Sequence, residues 1–156
     1  VSNLEEMQDA IFMQAIAMKE SDGCLSPIAF VIPKPRRPTV DPMTLVPAPD
    51  DNMELWDASI RAAIEAMSAD AVITVSESFG IDVPEGVDGV NMLCALSYGM
   101  DASDFDGSSE CLTSVLESRS GKSRFLEARV LPDGTVSRDV DQSLNPVGDS
   151  YYGFFT

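Results

Sequence analysis

Hydrophobic positions along this chain fall into two helical stripes and a set of short runs suited to strands. Leu4, Met7, Ile11, Phe12, Ala15, Ile16 and Met18 recur at helical spacing. Ser2 and Asn3 stand three residues ahead of Glu5 and Glu6, as a capping box requires, and Gly23 is a natural stop. This predicts a helix over 3–20. The second stripe, Met53, Trp56, Ile60, Ile64 and Met67, follows the capping residues Asp50, Asp51 and Asn52. Asp57, Arg61 and Glu65 stack four apart on another face, which predicts a helix over 52–69.

With almost no loop, that helix feeds Ala71-Val72-Ile73-Thr74-Val75-Ser76-Glu77-Ser78-Phe79-Gly80, the stretch the rest is organised around. Val, Ile, Thr and Phe suit a pleated surface, and glycine ends the run. Alternation places Ala71, Ile73, Val75, Glu77 and Phe79 on the face to bury, and Val72, Thr74, Ser76 and Ser78 on the other. Glu77 then stands at the rim of a core, where desolvation penalises its charge unless a cation or backbone donors compensate. Two readings follow: an arginine partner, or a functional carboxylate.

Earlier, residues 27–32 read as a short strand ending at Pro33, and Met43 to Val46 as an edge strand pairing back on it. The stretch 33–49, which includes that edge strand, is proline-rich, with Lys34, Arg36 and Arg37 at its tip. Residues 81–110 form an irregular acidic connection around a short apolar run, 90–96, of buried-helix type. Its Asp101, Asp104, Asp106 and Glu110 resemble a calcium loop but fail the EF-hand register. With Gly107 at the turn position, positions one and twelve fall on Ala102 and Thr113. No metal site is expected.

Leu112–Ser118 and Phe125–Leu131 flank a hairpin turn at Arg119-Ser120-Gly121-Lys122. The expected register sets Leu112, Ser114 and Leu116 beside Val130, Ala128 and Leu126, with Glu117, Glu127 and Arg129 on the opposite face. Pro132-Asp133-Gly134 turns into a strand near 135–139. The tail, 145–156, ends in Tyr151, Tyr152, Phe154 and Phe155, which either fold back to cap the core or form an exposed hook for a partner.

The expected architecture is therefore α+β. It is a single domain over 1–156, with a mixed sheet of five or six strands and both helices packed mostly on one face. A chain of 156 residues buries roughly two thirds of its unfolded surface. The order helix, strand pair, helix, Val-rich strand ending Ser76-Glu77-Ser78-Phe79, acidic connection and glycine-turned hairpin resembles small uncharacterised bacterial and phage proteins. The resemblance spans about 50–80 and 110–135. It implies a microbial or viral origin and lends nothing to function.

Composition narrows the chemistry. With no histidine, Ser-His-Asp and Cys-His catalysis are excluded and the commonest transition-metal ligand is missing. Cys24, Cys94 and Cys111 are odd in number and form no Cys-x-x-Cys pair, so reduced thiols are expected, with neither a disulfide scaffold nor zinc. No apolar run reaches the ~18 residues of a membrane span. Glu5, Glu6 and Asp9 stand where a secretory signal carries basic residues, so a cytoplasmic location is expected, or a virion if the source is a phage.

Net charge is −16, and residues 38–118 hold sixteen acids against one base, Arg61. Such a field repels nucleic acid and anionic lipid and attracts basic surfaces. The leading expectation is a non-enzymatic acidic protein that binds a basic protein partner, as an inhibitor or nucleic-acid mimic or as an assembly subunit. No cofactor is expected. Its contacts would come from Asp101, Asp104, Asp106, Glu110, Arg36, Arg37 and the tail aromatics Tyr151, Tyr152, Phe154 and Phe155. The alternative is a carboxylate-dependent hydrolase, with or without Mg²⁺, pairing Glu77 with Glu117 or Glu127 as acid and base.

Overall fold

A computed structural model describes residues 2–34, 43–81, 108–145 and 152–155. Within them, α1 (Ser2–Asp22) precedes a strand pair, β1 (Ile28–Pro33) and β2 (Thr44–Pro47). Then come α2 (Met53–Met67), β3 (Ala69–Ile81), β4 (Ser108–Ser118), β5 (Ser123–Arg129) and β6 (Asp141–Asn145). The strands form one six-stranded sheet in the order β2-β1-β3-β4-β5-β6. This is the α+β class read from the pattern. Among the described residues no helix is long and apolar enough to cross a membrane.

Local chemistry accounts for the element ends. Gly23, at φ +78°, closes α1 by donating its N–H to the Lys19 carbonyl at 2.9 Å. Asn52 caps α2 by accepting from the Leu55 N–H at 3.1 Å. Ser68, left-handed at φ 50°, turns the chain directly from α2 into β3.

β3 is the interior strand expected, paired to β1 on one side and to β4 on the other. Every pairing is antiparallel rather than mixed. The reason lies in α2. It carries the chain back from the end of β2 to the end of β1, so β3 enters beside Pro33 and runs opposite to β1.

The two helices do not share a face. α1 packs Phe12, Ala15 and Ile16 against Ala71, Ile73, Val75, Leu112 and Leu116. α2 packs Trp56, Ile60 and Ile64 against Ala29, Val31 and Val72, which point the other way. Residues 71–75 are accordingly buried on both faces, where a single buried face was expected. β1, an unbroken apolar run from Ile28 to Ile32, carries the same signature of a strand covered on both sides.

Two further details differ. The hairpin register is displaced by two residues: Leu112 faces Ala128, Ser114 faces Leu126 and Leu116 faces Arg124. Gly121, at φ +90°, and the Ser118 N–H bonded to the Lys122 carbonyl close a tighter loop than expected. A shift of two preserves side-chain parity, so the apolar face survives it. The strand expected near 135–139 is reduced to a single bridge between Val130 and Val136, and the sixth strand is Asp141–Asn145. The helix expected near 90–96 lies outside the described residues.

Candidate functional site

Two polar constellations stand out, one on each face of the sheet. On the α1 face, Glu77 and Glu110 are diagonal neighbours: Glu77 lies opposite Leu112, and Glu110 opposite Phe79. Like charges so placed destabilise a strand pair unless a cation intervenes. Lys19, from the last turn of α1, supplies it. Its Nζ donates to Glu77 Oε1 at 2.8 Å, to Glu110 Oε1, and to the Gly23 carbonyl at 2.9 Å. All three ammonium protons are thereby used. Glu77 Oε1 also accepts the Leu25 N–H at 2.7 Å, which ties the α1–β1 connection to the same carboxylate.

The expected partner of Glu77 was an arginine; it is a lysine 58 positions away in sequence. Lys19 is only 6% exposed. Burial pulls its pKa down, but the hydrogen bonds and charges of Glu110 and Glu77 outweigh this and leave it above its ordinary value. Lys19 and Glu110 border an open cleft of about 690 Å³, also lined by Arg129, Asp133 and Thr135.

On the α2 face lies Glu117, 3% exposed and opposite Val72. Its Oε1 accepts the N–H groups of Tyr152 and Gly153, each at 3.3 Å. Arg61 of α2 donates to the carbonyls of the same two residues, at 2.8 Å from Nη2 to Tyr152 and 3.2 Å from Nη1 to Gly153. Phe154 fills a space in the core beneath α2 and stacks on Tyr152 at 5.0 Å between centroids. The guanidinium groups of Arg61 and Arg119 lie over the Phe154 and Phe155 rings at 5.2 and 5.1 Å. Burial pushes the Tyr152 hydroxyl pKa up, against a hydrogen bond with Thr74 that lowers it, and the Glu117 charge adds to the rise.

The structure therefore brings Glu77 together with Glu110, but not with Glu117 or Glu127. Glu127 lies opposite Thr113, itself opposite Ser76, on the α2 face. The sheet separates Glu77 from both proposed partners, so the pairing that would share acid and base work is not formed. Among the described residues no cluster of three or more potential ligands is placed to hold a metal. Of the expected contact residues, Glu110 is committed to Lys19, and Tyr152, Phe154 and Phe155 fold back onto the core. Asp101, Asp104, Asp106, Arg36, Arg37 and Tyr151 lie outside the described residues.

Sequence reasoning passed over Lys19 and Gln8. Both lie on the inward stripe of α1 with Phe12, Ala15 and Ile16, where Met18 was expected; Met18 is instead exposed. Gln8 is fully buried, donating to Ser114 Oγ and to the Arg124 carbonyl. A polar residue at the centre of an apolar stripe was the available signal. No family model, curated protein or solved structure matches this chain.

Proposed function

We propose that this protein is a non-enzymatic, acidic interaction module whose surface meets a basic protein partner. The observation that carries the reading is how its positive charges are spent. Lys19, Arg61, Arg124 and Arg138 are each paired with carboxylates of their own chain, and Arg119 donates to the Ala69 carbonyl. Exposed Glu6, Asp22, Glu54, Glu65, Asp139 and Asp141 have no ion-pair partner among the described residues. With a net charge of −16, the outward field is negative, which steers basic surfaces toward the protein and repels nucleic acid.

The partner is a basic protein, either a nucleic-acid-binding protein that this chain blocks by mimicking phosphate charge or a subunit of an assembly. The setting is the cytoplasm or a virion. A carboxylate hydrolase finds less support, because Glu77 is held in a saturated ion triad, away from Glu117 and Glu127.

The test captures partners at low salt, then measures binding kinetics for the best of them at two salt concentrations. Two variants are compared with the parent: Asp101, Asp104 and Asp106 all changed to Lys, and Glu54 and Glu65 both changed to Lys. Association should slow with salt and in at least one variant, since charge steering acts on encounter. Association unchanged by salt and by both variants would overturn the reading.

A further inference from the structure

We propose that the apolar groove between α1 and the β1–β2 edge of the sheet receives a short segment of a basic protein partner. Its apolar side chains enter the groove, and a lysine or arginine beside them meets Asp22. The proposal rests on the acidic-module reading and gives that module a contact surface.

The groove exists because the two helices are offset. α2 packs over β2, β1 and β3 on one face, whereas α1 packs over β3 and β4 on the other. Ile28 and Phe30 of β1 are therefore only half-buried on the α1 side. Leu45, opposite Phe30 and so on the same side of the sheet, is 55% exposed. Met18 of α1, 52% exposed, lines the groove with Ile28 and Phe30, above the buried Leu25 and Val75. The volume is about 320 Å³. A mostly apolar concavity with few polar groups is the usual form of a recognition site.

Charge selects the occupant. Asp22 is the only charged residue among the described residues that line the groove, and it has no ion-pair partner among them. It ends α1, where the helix dipole adds to its negative potential, so this end of the groove favours a cation. A second copy brings the same net charge of −16 and is repelled, as are nucleic acid and anionic lipid. Strand addition to β2 is disfavoured too. The Trp56 indole N–H donates to the Val46 carbonyl at 2.8 Å, and Pro47 has no N–H to offer.

Recognition therefore falls to side chains. Leu45 continues the apolar surface along the sheet edge, a length suited to a peptide rather than to a compact small molecule. Met18, unbranched and flexible, adjusts to whichever side chain enters. Apolar burial then sets how long the partner stays, and Asp22 sets which way it lies.

The experiment selects a display library of short random peptides on the parent protein and counter-selects on Met18→Gln/Leu45→Gln. Both positions are exposed, and the double change removes apolar surface without altering net charge. Recovered peptides should pair an apolar side chain with lysine or arginine. They should bind the parent at least about tenfold more tightly than the double variant. Asp22→Lys should weaken them as well. Equal binding to parent and double variant, peptides without a basic residue, or no recovered peptide would overturn the proposal. So would an uncharged apolar dye that binds the groove where no peptide does, which assigns it to small molecules. Should the double variant not fold, Gln14→Trp, which fills the groove from an exposed position, takes its place and the same outcomes decide.

The acidic-module reading fails separately. A captured partner whose association ignores salt overturns that reading. A partner that associates in a salt-dependent way, yet leaves parent and double variant equally fast, overturns this proposal alone.

Discussion

Lys19 lies 2.8 Å from Glu77 and also bonds Glu110, so one helix cation joins two strands that present like charges on the same face. Replacing it with methionine keeps most of the volume and removes the charge. The Glu77 and Glu110 side chains are 30% and 37% exposed, so solvent screens part of the loss. Lys19→Met should destabilise by about 1–3 kcal/mol, between the surface and fully buried cases. Adding Glu77→Gln should recover part of it by removing one of the facing charges. Denaturant unfolding of the three chains checks this, and equal midpoints would contradict it.

Ile73 is fully buried on the α1 face of the interior strand. Ile73→Ala should cost about 2–5 kcal/mol, combining lost transfer energy with an incompletely filled cavity. A loss under about 1 kcal/mol in equilibrium unfolding would mean that β3 does not organise the core.

Glu20 joins α1 to the turn after β5, accepting from Arg138 Nη2 at 2.8 Å and from the Val136 N–H at 3.0 Å. The Arg138 hydrogen bond, then the Val136 N–H, hold its pKa below the ordinary 4.5. A depressed carboxyl contributes stability that is complete above the unfolded value and lost as pH falls through the folded one. The advantage of the parent over Glu20→Gln should therefore be full above about pH 4.5 and fade below it. For Lys19 the sign is reversed. Its raised pKa keeps its contribution intact below about 10.5 and surrenders it at higher pH. Unfolding midpoints of parent, Glu20→Gln and Lys19→Met across pH test both limbs; a difference that does not change with pH would contradict the assignment.

Cys24 is exposed and Cys111 buried. With no histidine in the chain, stability should depend on neither a disulfide nor zinc. Thermal midpoints with and without reductant, and with and without chelator, should coincide. A shift of several degrees in either comparison would show a bridge or a metal.

The sequence by itself determined the elements whose causes are local. Asn52 as a cap and Trp56, Ile60 and Ile64 at helical spacing marked α2 almost to the residue. Alternation marked β3, and proline with turn chemistry marked the β1–β2 pair and the hairpin. Each of these signals acts within one or two turns of chain, so it survives without knowledge of the fold.

Tertiary structure alone decided which face each helix covers, because β1 and β3 are apolar on both sides and accept either. It also placed the last strand at Asp141–Asn145, where backbone pairing to β5 at the sheet edge replaces any apolar alternation. The carboxylates were legible as residues, but not as partners. Parity along β3, β4 and β5 turns Glu77 to one face of the sheet and Glu117 and Glu127 to the other. Glu77 finds its cation 58 residues away, and Glu117 its donors 35 and 36 residues away. Propensity and periodicity reach only a few residues along the chain, whereas pairings of this range exist only once packing has chosen which surfaces meet.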